Sequence, residues 1–187
     1  MKQDNKLSEQ LLDEEDVILK SQRNPSAFRV LYEKYYRSIF LFILNRVGDK
    51  DASADVCSQV FLKALLNIAR YKIKGLPFSA WLYRIATNEC NDYFRKNKRA
   101  RIVILEDSIA QNLFEEMFEH EAKDELLSRL PLAMQRLKVD ELQLIELRFL
   151  ESRPFKEVAE ILNISENYAK VRTYRILDKM KTLLVRK

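Results

Sequence analysis

Residues 81–101, WLYRIATNECNDYFRKNKRAR, decide how this 187-residue chain is read. Trp81, Ile85 and Cys90 recur at helical spacing, as a buried stripe does. Tyr83, Arg84, Asn88, Asn91, Asp92 and Arg95 fall mostly on other parts of the wheel, and the helix runs into Lys96, Lys98, Arg99 and Arg101. Cations beside exposed aromatics and amides suit a surface that grips phosphates and stacks or hydrogen-bonds an unpaired base.

Composition frames that helix. With 47% hydrophobic and 33% charged residues the chain builds cores and is no disordered tail. Two glycines and four prolines disfavour β-sandwiches and Gly-rich nucleotide loops, and apolar residues recur every three or four positions. The fold class is all-α. A net charge of +5 permits a nucleic-acid partner without proving one. Its distribution says more: bases gather at 93–101 and 168–187, acids between Glu106 and Glu125.

Two cysteines, Cys57 and Cys90, and one histidine, His120, are too few for a zinc site or a disulfide scaffold. Both cysteines are expected to be reduced, packed thiols, and no metal or other cofactor is expected. The N-terminal MKQDNKLSEQLLDEED is polar and acidic, unlike a signal peptide, and no apolar run approaches the roughly 20 residues that span a bilayer. A cytoplasmic protein without stable membrane insertion is the expectation.

Working outward, residues 1–24 read as an N-terminal extension, loose to about residue 10, with Ser8 capping a first helix through Lys20. Asn24-Pro25-Ser26 breaks the chain, and an amphipathic helix from Ala27 carries Phe28, Leu31, Tyr32, Tyr35, Ile39, Phe42 and Ile43 to a stop at Gly48. A helix from Asp51 to about Arg70 buries some of Val56, Val60, Leu62, Ala64, Leu65 and Ile68. The turn-rich loop from Tyr71 leads to Ser79, an expected N-cap for the helix quoted above. Residues 25–101 thus form one small helical domain, 102–125 an acidic linker, and 126–187 a second domain. Helical periodicity returns near Phe114 and continues to Leu137, with Pro131 starting or kinking a segment, and Asp140 caps a helix through Leu150.

The second domain ends in helix, tight turn, helix: 154–162, Asn163-Ile164-Ser165, and 166–184. Asn163 tolerates the left-handed conformation where Gly is absent, and Ser165 caps the last helix. Ala169, Thr173, Ile176 and Met180 make one apolar stripe, while Asn167, Lys170, Arg172, Tyr174, Arg175 and Lys179 lie elsewhere. That division is what a helix-turn-helix reader needs: a seam that holds the recognition helix and long donors that enter the major groove.

With these segments in view, the chain resembles the bacterial RNA polymerase sigma factors of the extracytoplasmic-function (ECF) group. GDKDASADVCSQVFLKAL at 48–65 resembles the family's clamp-binding helix, FSAWLYRIATNECNDYFRK at 78–96 its promoter-opening element, and RFLESRPFKEVAEILNISENYAKVRTYRIL at 148–177 its upstream-element reader. The resemblance implies that Asp55 and Gln59 meet the β′ clamp of core polymerase, with Phe61 packed beneath. Ala52, Ser58 and Gln59 depart from the family's usual acidic residue, Gln and Glu. The resemblance assigns minus-ten DNA to Tyr71, Lys72, Lys74, Phe78, Trp81 and Asn88, with a base flipped into a pocket there. It assigns minus-thirty-five DNA to Asn167, Lys170, Val171, Arg172, Tyr174 and Arg175. Arg95, Lys96, Lys98 and Arg99 would meet phosphates.

The implied function is a dissociable polymerase subunit that recognises and opens promoters. Its partners would be core polymerase, through the β′ clamp and the β subunit, promoter DNA, and an anti-sigma factor. A linker extended from Arg101 to Glu125 would reach about 80 Å at about 3.3–3.6 Å per residue, enough to bridge two promoter elements roughly two DNA turns apart. The competing reading is a helix-turn-helix repressor or activator that acts without core polymerase, as a dimer on palindromic DNA. An enzyme is disfavoured: no Gly-rich phosphate loop, nucleophile motif or metal cluster occurs in the sequence.

Overall fold

Short polar residues set the corners of the first unit. Gly48 takes the left-handed conformation (φ 74°) that closes one helix, and the Asp49 side chain accepts from the Ala52 amide at 2.8 Å to open the next. The computed structural model describes residues 2–97, 105, 107–118 and 124–185. The described residues contain helices and no strand. The chain divides into two units, Met1–Arg99 and Ala100–Lys187.

The first unit holds α1 (Lys2–Arg23), α2 (Phe28–Val47), α3 (Lys50–Asn67) and α4 (Phe78–Asn97), with single 3-10 turns at Pro25–Ala27 and Ile68–Arg70. Helices α2, α3 and α4 pack on one another around Phe42, Ile43, Cys57, Val60, Ala64 and Leu82. Helix α1 is longer than the sequence suggests, since its backbone is helical from Lys2, and it packs on α2 and on the turn after α3.

The buried face of α4 keeps Cys90 as expected but otherwise differs from the expected one. Phe78, Leu82, Ala86 and Cys90, joined by Ser79, Tyr83 and Thr87, face the core, whereas Trp81 and Ile85 are only half-buried. The stretch from Phe78 carries two ridges about 100° apart. The ridge of Trp81 and Ile85 turns polar at Asn88 and Asp92, whereas the ridge of Phe78, Leu82, Ala86 and Cys90 is apolar throughout and is the one buried. Ala86 and Cys90 are small enough to let neighbouring helices approach, and the Tyr83 ring sits edge-on to Phe42 at 4.7 Å. Ser79 is buried inside the helix and is not its cap, since α4 already begins at Phe78. On α3, Leu62 is exposed while Cys57 and Phe61 take core places. Cys57 and Cys90 form no disulfide and are fully buried, and burial, then the neighbouring Cys90, pushes the Cys57 thiol up to about 11.

The second unit holds α5 (Asp107–Met117), α6 (Asp124–Gln135), α7 (Val139–Ile145) with a π-helical turn at Glu146–Leu150, α8 (Phe155–Leu162) and α9 (Glu166–Val185). Pro131 lies inside α6. Helix α7 starts before Asp140 and is capped by Glu141, whose carboxylate accepts from the Lys138 amide at 2.9 Å. Helix α5 begins at Asp107, earlier than the helical periodicity legible from about Phe114, so part of the 102–125 linker is helical. Its Leu113, Phe114 and Met117 are buried, and it packs on α6, α9 and the π-turn. As a helix these residues advance about 16 Å instead of about 37 Å, so a fully extended tether overstates the reach.

Asn163 adopts φ 57° at the end of α8, and Ser165 accepts from the Tyr168 amide at 3.2 Å to open α9, both as the sequence chemistry requires.

Candidate nucleic-acid interface

In the first unit, the half-buried ridge of α4 forms the wall of a pocket. Trp81, Ile85, Asn88 and Asp92 follow one another at i, i+4, i+7 and i+11 and face Lys63, Asn67 and Arg70 across a cavity of about 470 Å³. Tyr71 completes it, with its ring 4.8 Å from Trp81 and 5.2 Å from Phe78. Lys63 Nζ reaches Glu89 Oε1 at 2.5 Å, so an ion pair joins α3 to α4 at the pocket wall. An aromatic floor, an amide and charges of both signs give such a cavity a stacking surface and hydrogen-bonding edges, which are what a nucleobase presents.

Of the residues the resemblance assigns to minus-ten DNA, Tyr71, Trp81 and Asn88 come together in this pocket. Lys72 and Lys74 are exposed on the loop and do not line it. Phe78 must be corrected: it is fully buried, cannot touch DNA, and supports the rings of Tyr71 and Trp81 from beneath. Lys63, Asn67, Arg70 and Glu89 were not singled out by sequence, for they owe their place to the α3–α4 packing alone. Arg95 and Lys96 are exposed beyond the pocket, and Arg95 pairs with Asp92 at 2.8 Å. Lys98 and Arg99 lie outside the described residues, as do Glu106, Glu119, His120 and Glu121.

Helix α3 offers a second surface. Asp55, Gln59, Leu62 and Leu66 form an exposed stripe at i, i+4, i+7 and i+11. Beside it a groove of about 460 Å³ runs between Tyr32 and Arg29 of α2 and Ser58, Leu62 and Leu65 of α3. Phe61 is buried at its base, edge-on to Tyr32 at 4.8 Å.

In the second unit, α9 buries Ala169, Thr173, Ile176 and Met180 and exposes Asn167, Tyr168, Lys170, Val171, Tyr174 and Arg175. Tyr168, 52% exposed, joins this face without having been singled out. Arg172 stands apart from the expected readers. Its guanidinium turns to α7, 3.4 Å from Glu141 and 3.5 Å from Asp140. Lys179 reaches Glu141 at 2.6 Å. Burial alone would raise the Glu141 carboxyl, but hydrogen bonds from Lys179 and the Lys138 amide, with the charges of Lys179 and Arg172, outweigh it and hold its pKa below the usual carboxylate range. These cations fasten α9 to α7. Among the described residues no group of three metal-ligating side chains occurs, and no helix is long and apolar enough to cross a membrane.

Family models match both units: Sigma-70 region 2 over residues 31–100 and Sigma-70, region 4 over 133–182, together more than half of the chain. The chain belongs to the ECF sigma factors. It is 30% identical over 159 residues to the ECF RNA polymerase sigma factor BldN of Streptomyces coelicolor, covering 84% of this chain and 60% of that relative. With SigM of Bacillus subtilis it shares 28% identity over 157 residues, 82% of this sigma factor and 92% of the other. The solved structure of CnrH in complex with the cytosolic domain of CnrY has the same fold, at a TM-score of 0.60 and 19% identity over 90% of this chain and 94% of that one. The pocket and the α3 stripe therefore lie within region 2, and the exposed face of α9 within region 4.

Proposed function

We propose that this sigma factor binds core RNA polymerase, directs it to promoters and opens them by holding one unstacked base of the minus-ten element in the pocket between Tyr71, Trp81 and Asn88. The pocket carries the proposal. It is a pre-formed cavity with an aromatic wall, at the one helix whose sequence also resembles the family's opening element. Extruding a base costs a few kcal/mol, and stacking with hydrogen bonds returns an amount of the same order. Arg95 and Lys96 would hold the flanking phosphates, as would Lys98 and Arg99 by sequence.

The exposed stripe Asp55, Gln59, Leu62 and Leu66 with its aromatic groove is the surface we assign to the β′ clamp. Leu66 is 72% exposed, which a partner would cover at a gain of about 25 cal/mol per Å² of apolar area. Asn167, Lys170, Val171, Tyr174 and Arg175 would read the minus-thirty-five element, with the Val171 methyls suited to a thymine methyl. Residues 25–101 and 126–187 would be the two working domains. The protein would act by binding alone, without catalysis, in the cytoplasm. CnrH was solved with CnrY bound, and an anti-sigma partner is proposed here on that likeness and on family membership.

The alternative, an autonomous helix-turn-helix regulator, differs in one measurable respect. A gel shift on promoter duplex, recovered by run-off transcription from a genomic fragment library, should show weak binding by the chain alone and tight binding once core polymerase is added. Tight binding without core enzyme, unaffected by its addition, would remove the sigma-factor reading.

A further inference from the structure

Helix α1 has no part in the contacts assigned above, yet it holds both ends of the loop that walls the pocket. Glu14, Ile18 and Ser21 are its buried face, at i, i+4 and i+7, so a glutamate occupies a core position. Glu14 Oε2 accepts from the Phe78 amide at 2.9 Å, at the first turn of α4. Glu14 Oε1 accepts from Lys34 Nζ at 2.7 Å and from the Tyr35 hydroxyl. About two helical turns further along α1, Gln22 Nε2 donates to the Tyr71 carbonyl at 2.8 Å. Tyr71 begins the loop and Phe78 follows its end.

We infer that Glu14 and Gln22 are positioning residues for base capture, bracing the loop 71–77 from outside the pocket. The inference rests on the base-capture reading of that pocket. The first amides of a helix have no partner within it, and Pro77, which precedes α4, has no side-chain oxygen to offer. A carboxylate from α1 fills that role and lies at the positive end of the α4 dipole. Lys34 and Tyr35 fix its other oxygen, so the buried charge is matched by charge-assisted bonds. Phe78, held by its amide, places its ring 5.2 Å from Tyr71 and 5.3 Å from Trp81, and these two rings form the aromatic wall. The chain of support runs from Glu14 through Phe78 to the stacking surface, and from Gln22 directly to Tyr71.

The test uses holoenzyme assembled from the full chain and purified core polymerase. The probe is a fluorescent single strand carrying the non-template minus-ten sequence of a promoter recovered by run-off transcription. An abasic site is scanned through that strand. With the wild-type chain one position should cost between about fivefold and a hundredfold in affinity, the range of one base contact. Glu14→Gln and Gln22→Leu should each shrink that penalty at least about threefold, with affinity for core polymerase unchanged.

A variant that keeps the full abasic penalty, or weakens intact and abasic strands equally, overturns the inference. A wild-type chain with no penalty at any position removes the base-capture reading itself, and the inference with it. Should Glu14→Gln fail to fold, Gln22→Leu leaves the buried carboxylate in place and decides alone.

Discussion

The pocket of region 2 and the exposed face of α9 are both candidate DNA surfaces, built in opposite ways. The α9 face is convex and belongs to one helix. Its readers are whatever the apolar stripe leaves outward, and removing one leaves the others in place. The pocket is concave and shared among α3, α4 and the loop between them, with α1 behind. Its rings hold one another. Disturbing one should propagate through Tyr71, Phe78 and Trp81. A convex reader separates binding from stability, whereas a shared pocket couples them.

The largest expected effect comes from Phe78→Ala. Loss of a fully buried phenyl ring should lower the stability of the first unit by about 3–5 kcal/mol, measured by denaturant unfolding. Unchanged stability with selective loss of DNA contact would return Phe78 to the DNA surface.

Asn88→Ala removes an exposed amide at the pocket edge. Open-complex formation, read by permanganate reactivity, should fall by roughly tenfold, the effect of a hydrogen bond of about 1–1.5 kcal/mol. Core-polymerase affinity should be unaffected, and equal loss of both would mark Asn88 as structural.

The α9 face offers the sharpest contrast within one helix. Arg175→Ala should cut transcription from a promoter dependent on its upstream element by about fivefold to a hundredfold, with no shift in melting temperature. Arg172→Ala should do the reverse, lowering the midpoint of the region 4 unit by about 4–8 °C for each kcal/mol of ion pairing lost. Exchanged outcomes would undo the division of labour along α9.

Acid should loosen region 4 through the same contacts. The Glu141 pKa is lower folded than unfolded, so its contribution is complete above the ordinary carboxylate range and fades as pH falls through the folded value. Thermal unfolding from pH 7 downwards should therefore show a loss of stability that Glu141→Gln removes. The smallest effect concerns Arg95: Arg95→Ala should reduce the slope of log affinity against log salt by about one.

Legibility in the sequence follows the same division. On α9 the apolar stripe, the Asn163 turn and the Ser165 cap are local chemistry, and each stands where the residue types place it. Arg172 and Lys179 depart, because their partners on α7, Asp140 and Glu141, are distant in the chain. On α4 the helical period and the burial of Cys90 are legible, but Trp81 and Ile85 are only half-buried, because their ridge continues into Asn88 and Asp92 while Phe78, Leu82 and Ala86 lead along an apolar one to Cys90. The first turns of α5, before Phe114, are not legible as helix, because the cover for Leu113, Phe114 and Met117 is supplied by α6, α9 and the π-turn.

By itself the sequence determined the all-helical class, the two-part organisation, the reading helix with its turn, and the kinship carried by 48–65, 78–96 and 148–177. Those features rest on spacing and on residues within a few positions of one another. Only the tertiary structure decided which ridge of α4 lines the pocket, which cations on α9 are spent on α7, and that Glu14 reaches the start of α4. Each depends on groups brought together from distant parts of the chain, and the helical period does not encode which of them meet.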